Sequence, residues 1–204
     1  MTRIFLGIAS LAILMLVATL LLGLYIGDLH QPHADSIAEL AWVHRWSGIA
    51  TALVVVLVNC IAITYFIGTS RWCKEVAETY RLDSQLVARS AALKRQAFPW
   101  AVTAMLVVVG TISLGAAADP VRPRAGTEQW VIPHLVGALL GVAFIAWAFF
   151  REYQRIAEHH AVIEEILAEV RKIRGEGLGA RDSGLGEARA KPRTPNSESR
   201  IPNP

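Results

Sequence analysis

Four blocks of the chain run without a single Asp, Glu, Lys or Arg: residues 4–26, 46–67, 98–118 and 130–150. A helix rises 1.5 Å per residue, so about 20 residues cross the hydrocarbon core of a bilayer. Each block meets that length. The pattern predicts four membrane-spanning helices and an all-α, integral membrane four-helix bundle with cytoplasmic helical extensions. The first block is read as a retained span. Its apolar core is longer than that of a signal peptide, and Pro32-His33-Ala34 makes a poor cleavage site.

Between and after the blocks the pattern changes. Trp72, Val76 and Tyr80 recur every four residues, as do Leu86, Ser90 and Lys94, and Asp83 or Ser84 suits a helix start. Residues 68–97 are therefore expected to form a loop of short helices lying on the anionic inner leaflet. Span three opens on Phe98-Pro99-Trp100, which places Pro99 in a first helical turn. In 151–174, Ile156, Val162, Ile163, Ile166 and Val170 mark one face of an amphipathic helix suited to the central loop, the membrane or a second copy of the chain. His159 and His160 fall in its polar part and read as surface residues. From 175 to 204 the chain is rich in Gly, Ser, Pro and Arg without periodicity, which predicts disorder. The domain division is thus 1–150, 151–174 and 175–204.

Charge orients these elements. Lys and Arg total 20 against 17 Asp and Glu, a net +3. The central segment carries Arg71, Lys74, Arg81, Arg89, Lys94 and Arg95, whereas 27–43 carries no Lys or Arg. The positive-inside rule then puts both termini and the central loop in the cytoplasm, in the inner membrane of a bacterium. Glu75, Glu78 and Asp83 lie among the basic residues and argue against nucleic acid as a partner. A transporter or channel ranks low, because ion pathways normally place ionisable groups within the spans. Cys60 and Cys73 fit neither a zinc site nor a CxxC pair and are expected to form no disulfide.

Two histidines stand out against this apolar background. His44 and His134 lie at the same, external end of spans two and four. Positions i+3, i+4 and i+7 share a helical face. His44 is followed on its face by Ser47, Gly48, Thr51 and Ala52, and His134 by Gly137, Ala138 and Gly141. An imidazole from each side with only small residues beneath suits a flat ligand, and haem b is the cofactor this predicts. Arg45 would pair with a propionate, with Arg122 and Arg124 near the same face. Glu39 is the candidate for orienting His44 or moving protons. The competing reading of Gly137-Ala-Leu-Leu-Gly141 is helix packing alone, since GxxxG lets helices approach closely. Asn59 reads as an interhelical hydrogen-bond donor. His30 and His33 form an HxxH pair that suits copper, or simply two solvated loop residues. The order helix, loop, helix with histidine occurs twice, a repeat of topology with negligible sequence identity.

Glu39-Leu-Ala-Trp-Val-His44-Arg45-Trp-Ser-Gly48, with Pro133-His134-Leu-Val-Gly137-Ala, resembles the haem A synthase family over about residues 1–150. Those proteins are built from four-helix units with a histidine near the external end of the second and fourth helix, and this chain would correspond to one unit. The resemblance implies haem held by His44 and His134 and, with it, oxidation of haem O to haem A. Two departures weaken the enzymatic side. The family's acidic residue usually stands three positions before the first histidine, where this chain has Ala41, and the external cysteine pair of some members is missing. The expected function is therefore a bis-histidine haem protein of the membrane, working in electron transfer or haem oxidation. The lipid bilayer, a redox protein of the respiratory chain and a second copy are the expected partners. A non-enzymatic membrane scaffold or assembly factor with structural histidines is the alternative.

Overall fold

The computed structural model describes residues 1–32, 34–121 and 126–190, with side chains up to Gly175. His33, Arg122 and Arg124 lie outside the described residues. Four helices account for nearly everything described: α1 (Thr2–Ile26), α2 (Asp35–Tyr80), α3 (Ser84–Ala118) and α4 (Val131–Ala190), with a 3₁₀ turn at Glu128–Trp130 before α4. All four are long and apolar enough to cross a membrane. The outward faces agree, because Leu14, Leu53, Leu106 and Leu140 are each about two-thirds exposed. Such a belt is costly in water and suited to lipid. The protein is an all-α membrane four-helix bundle.

Each helix packs on its sequence neighbours, and α1 closes the ring against α4. The two diagonals differ. Helices α2 and α4 touch across the bundle, while α1 and α3 make no contact among the described residues. The histidine-bearing helices are thus the inner pair.

The buried positions reveal how the two halves relate. In α1 they are Phe5, Ala9, Ala12 and Leu16, and in α3 Ala97, Ala101, Ala104 and Val108, a constant step of 92 residues. In α2, Thr51, Val55, Val58, Ala62 and Phe66 are matched in α4 by Gly141, Ile145, Ala148, Glu152 and Ile156, a constant step of 90. The repeat expected from topology therefore extends to the packing register: one helical hairpin is used twice. Side-chain identity is repeated at only a few of these positions, such as Ala9 with Ala101 and Ala12 with Ala104, so it is mainly the 3.6-residue spacing of buried positions that carries it.

Helix α2 is 46 residues long, about 69 Å at 1.5 Å per residue, more than twice the hydrocarbon thickness. It does not stop at 67 and resume as short helices. Instead α2 and α3 continue beyond the apolar blocks and turn at 81–83, where Arg81 takes the left-handed conformation (φ 55°) and the Asp83 side chain accepts from the Gln85 amide at 2.8 Å. The hydropathy falls near Gly68, but no proline stands there, so nothing stops α2 at the membrane boundary. Pro99 itself lies well inside α3 rather than in a first turn, leaving the Arg95 carbonyl without its intrahelical donor.

The amphipathic stretch of α4 packs on this hairpin. Cys73, Val162 and Ile166 form a second small core, with Trp72, Val76, Leu86 and Ile163 around it. Burial pushes the Cys73 thiol up from its ordinary range, and both cysteines are free. His160 is exposed as expected, but His159 is fully buried, a correction to its reading as a surface residue. The residue boundary expected at 175 falls inside α4, which continues to Ala190. Residues 191–204 lie outside the described part.

Candidate functional site

The bundle has two polar ends, and the end opposite the hairpin carries the histidines. His44 stands in α2 and His134 in α4, the helices that meet across the diagonal. Their rings face each other with centroids 6.4 Å apart at an interplanar angle of 70°. The sequence spacing is thus realised in space. In each ring Nδ1 is buried and has no hydrogen-bond partner among the described residues. An orphaned polar atom in a protein interior is uncommon, and here it occurs twice, symmetrically.

The flanking helices supply the seats. A Cβ built on Gly23 of α1 would stand 2.8 Å from Cε1 of His44, and one on Gly115 of α3 would stand 2.9 Å from Cε1 of His134. Real Cβ atoms do not approach that closely, so each imidazole occupies space that only glycine leaves. One turn earlier on each flanking helix stands a threonine whose backbone carbonyl is placed to accept from the same ring, Thr19 for His44 and Thr111 for His134, though short of full hydrogen-bond geometry. Thr19 also bonds the Thr51 hydroxyl at 3.1 Å, across the α1–α2 contact. A Thr-x-x-x-Gly pair facing a histidine is built twice, one copy per hairpin. Sequence reasoning passed over Gly23 and Gly115 because they belong to spans without ionisable residues. The spacing 19/23 and 111/115, at the step of 92, was the available signal.

The other expected site residues are placed as follows. Gly137 and Gly141 turn toward α3, where added Cβ atoms would meet Leu114 at 2.9 Å and the Thr111 hydroxyl at 3.1 Å. They are contact glycines of the α3–α4 interface, which favours the packing reading of that strip. Gly48 faces Thr19 more loosely, at 3.9 Å. Ser47 donates to the His44 carbonyl at 3.0 Å and is occupied locally. Arg45 makes a two-pronged pair with Asp119 at the end of α3 (Nε–Oδ2 3.0 Å, Nη2–Oδ1 3.2 Å). Glu39 is exposed and, five residues before His44, lies about 140° round the helix from it. His30 is taken up by structure: its Nδ1 meets Asp28 at 2.8 Å and its Nε2 meets Thr127 at 2.9 Å, tying the two loops of this end together. His30 in turn holds the Asp28 carboxyl below the usual carboxylate range.

Two imidazoles underfill the coordination of a bare zinc ion, which takes four ligands. No cluster of three or more His, Cys, Asp or Glu side chains able to hold a metal occurs among the described residues. A macrocycle that brings its own equatorial nitrogens asks for axial ligands only, and a facing pair fits that demand. No protein-family model, no curated protein and no solved structure matches this sequence.

Proposed function

We propose that this chain is a membrane haem-binding protein that holds haem b between α2 and α4 through His44 and His134. The observation that carries the reading is the facing pair of buried imidazoles, each with an unpartnered nitrogen and each seated on a glycine. Neutral imidazole has one lone-pair nitrogen and one N–H. A ligand that accepts a lone pair from each ring would engage the polar capacity that the protein leaves unused. The haem would supply one-electron chemistry. The residues do the rest: His44 and His134 would bind, Gly23 and Gly115 would set the ring positions, and the apolar bundle would exclude water and tune the potential. Arg45 would bring positive charge to the carboxylate end of the ligand, in competition with Asp119.

Electron transfer is favoured over haem oxidation. The latter rests on the haem A synthase resemblance, and Glu39, its nearest acidic candidate, faces away from His44. Following the Lys and Arg bias, we place the hairpin end and both termini in the cytoplasm of a bacterium and the histidines near the outer face of its inner membrane. The protein purified in mild detergent after expression with ample haem is expected to give a low-spin b-type spectrum near one haem per chain. His44→Ala and His134→Ala are each expected to abolish it while leaving the helical content intact. A colourless but folded wild-type protein would replace this reading with the scaffold alternative, in which the histidines only pack.

A further inference from the structure

Glu152 is the one carboxylate of the bundle interior among the described residues. Its side chain is fully buried, two residues past the last apolar block, and neither carboxyl oxygen has a hydrogen-bond partner. It lines a crevice between α2, α3 and α4 whose other walls are Ala62, Ile63, Phe66, Ala97, Phe98 and Ala101. Packing does not call for an acid here. The equivalent position in the first hairpin, 90 residues earlier, is Ala62, which serves the same crevice from the opposite wall.

Among the described residues no ion pair compensates the carboxyl, although Nε of Arg151 and of Arg155 on the same helix are likewise buried without a hydrogen-bond partner. The walls from α2 and α3 are apolar, and α1 brings Phe5, in edge contact with Phe149, while its Arg3 is exposed. On α4 itself, Arg151 lies over the Trp100 ring at 5.7 Å and Arg155 pairs with Glu158. Tyr65 of α2, Lys94 of α3 and His159 of α4 make no ion pair with Glu152 among the described residues. An ionised carboxylate without partners costs several kcal/mol to bury. The neutral acid is the form this place accepts.

Two turns further along the same face of α4 stands His159, buried and hydrogen-bonded on both nitrogens. Ser90 donates to Ser70 at 3.1 Å, so it must accept from Nε2 of His159, at 2.8 Å. Nδ1 then accepts from the Tyr65 hydroxyl at 3.4 Å. This assigns the tautomer and gives a directional chain, Tyr65 to His159 to Ser90 to Ser70, that ends on a half-exposed serine at the hairpin end.

We infer that Glu152 is a proton-binding site of the membrane bundle, a carboxylic acid that takes up and gives back one proton through the chain His159–Ser90–Ser70. The step is a plain proton transfer: carboxylate plus proton gives carboxylic acid. His159 accepts a proton on one nitrogen and releases one from the other. The crevice as packed has no room for water, so proton exchange with Glu152 requires a local opening that bridges the two turns of α4, about 10 Å, up to His159. The site does not depend on haem.

Infrared spectroscopy of the full chain in lipid tests this directly. At pH 7 the protein should show the carbonyl stretch of a protonated carboxyl group, and that band should shift when the film is moved into D₂O. Glu152→Gln should remove the band, and Glu152→Asp should displace it, which identifies the group even if one variant fails to fold. Ser90→Ala should slow the D₂O shift by about tenfold, the effect of about 1.4 kcal/mol on a transfer barrier. Absence of the band at neutral pH would overturn the inference. So would a band that never shifts in D₂O, because the acid would then be sealed and structural. A D₂O shift of unchanged rate in Ser90→Ala would overturn the route through the hairpin end.

Discussion

Valine at Gly115 or Gly23 is expected to expel the facing imidazole from the bundle and to cost about 1–3 kcal/mol, the usual penalty for overpacking a filled core. The argument is steric. The first atom added at Gly115 already stands 2.9 Å from Cε1 of His134, and at Gly23 2.8 Å from Cε1 of His44. Two further methyl groups leave no rotamer that avoids the ring. The ring has no easy retreat either, because on its other side it meets the second histidine at 6.4 Å. Alanine at Gly7 or Gly68 is the control, since nothing lies within 4 Å of a Cβ there. Those changes should be neutral or stabilising by up to about 1 kcal/mol, the helix preference of alanine over glycine. Thermal unfolding in detergent reads the stability, and the haem spectrum reads the site. Wild-type stability in both Gly23→Val and Gly115→Val would mean that the seats are not constraints.

Much of this architecture was legible in the sequence, and the parts that were not have distinct physical causes. The four spans follow from unbroken apolar runs, and the meeting of His44 with His134 follows from span order and equal depth. What a single sequence does not display is which faces of different helices meet. Gly137 and Gly141 share a face with His134, yet α3 claims that face below the ring, so the strip packs on Thr111 and Leu114. Gly23 and Gly115, which do shape the site, lie on helices with no chemistry of their own. The length of α2 was hidden because hydropathy reports the membrane boundary, whereas helix continuity depends on the lack of a breaker. Glu152 and His159 are different. They share the 3–4 spacing of Ile156, Val162 and Ile166, and it is the habit of assigning charged residues to the wet face that concealed them.

The two-fold repeat gives these exceptions their meaning. Each hairpin contributes the same set, Thr-x-x-x-Gly on one helix and histidine on the next, so the histidine end is symmetric. The other end is not. Where the first hairpin places Ala62 and Thr69, the second places Glu152 and His159, and the polar groups needed for proton movement occur once. A duplicated scaffold thus carries a symmetric histidine pair at one end and an unpaired acid at the other, separated by about 27 Å of α4, the rise over the 18 residues from His134 to Glu152.

The hairpin end is expected to lose stability as pH falls below about 6.5, the ordinary value for histidine, and His159 is the cause. Burial holds its pKa below that value in the folded protein. The unfolded chain therefore binds more protons than the folded one in the acid window, and linkage makes stability drop as pH decreases through it. The contribution is fully present above about pH 6.5 and is lost progressively toward the depressed folded pKa. Protonation also breaks the hydrogen-bond pattern, because imidazolium has no lone pair with which to accept from Tyr65. His159→Gln keeps a donor for Ser90 and removes the titration, so its melting temperature should be flat between pH 5 and 7.5 where that of the wild type falls. His159→Ala should instead cost about 2–4 kcal/mol at all pH values, from the cavity and the unpaired Ser90 and Tyr65 hydroxyls. Hydrogen exchange localises the effect: amides of α3 near Ser90 should open at acid pH before those near Val108. An equal pH response in wild type and His159→Gln would assign the acid lability elsewhere, to groups such as the exposed Arg89–Glu165 pair between α3 and α4.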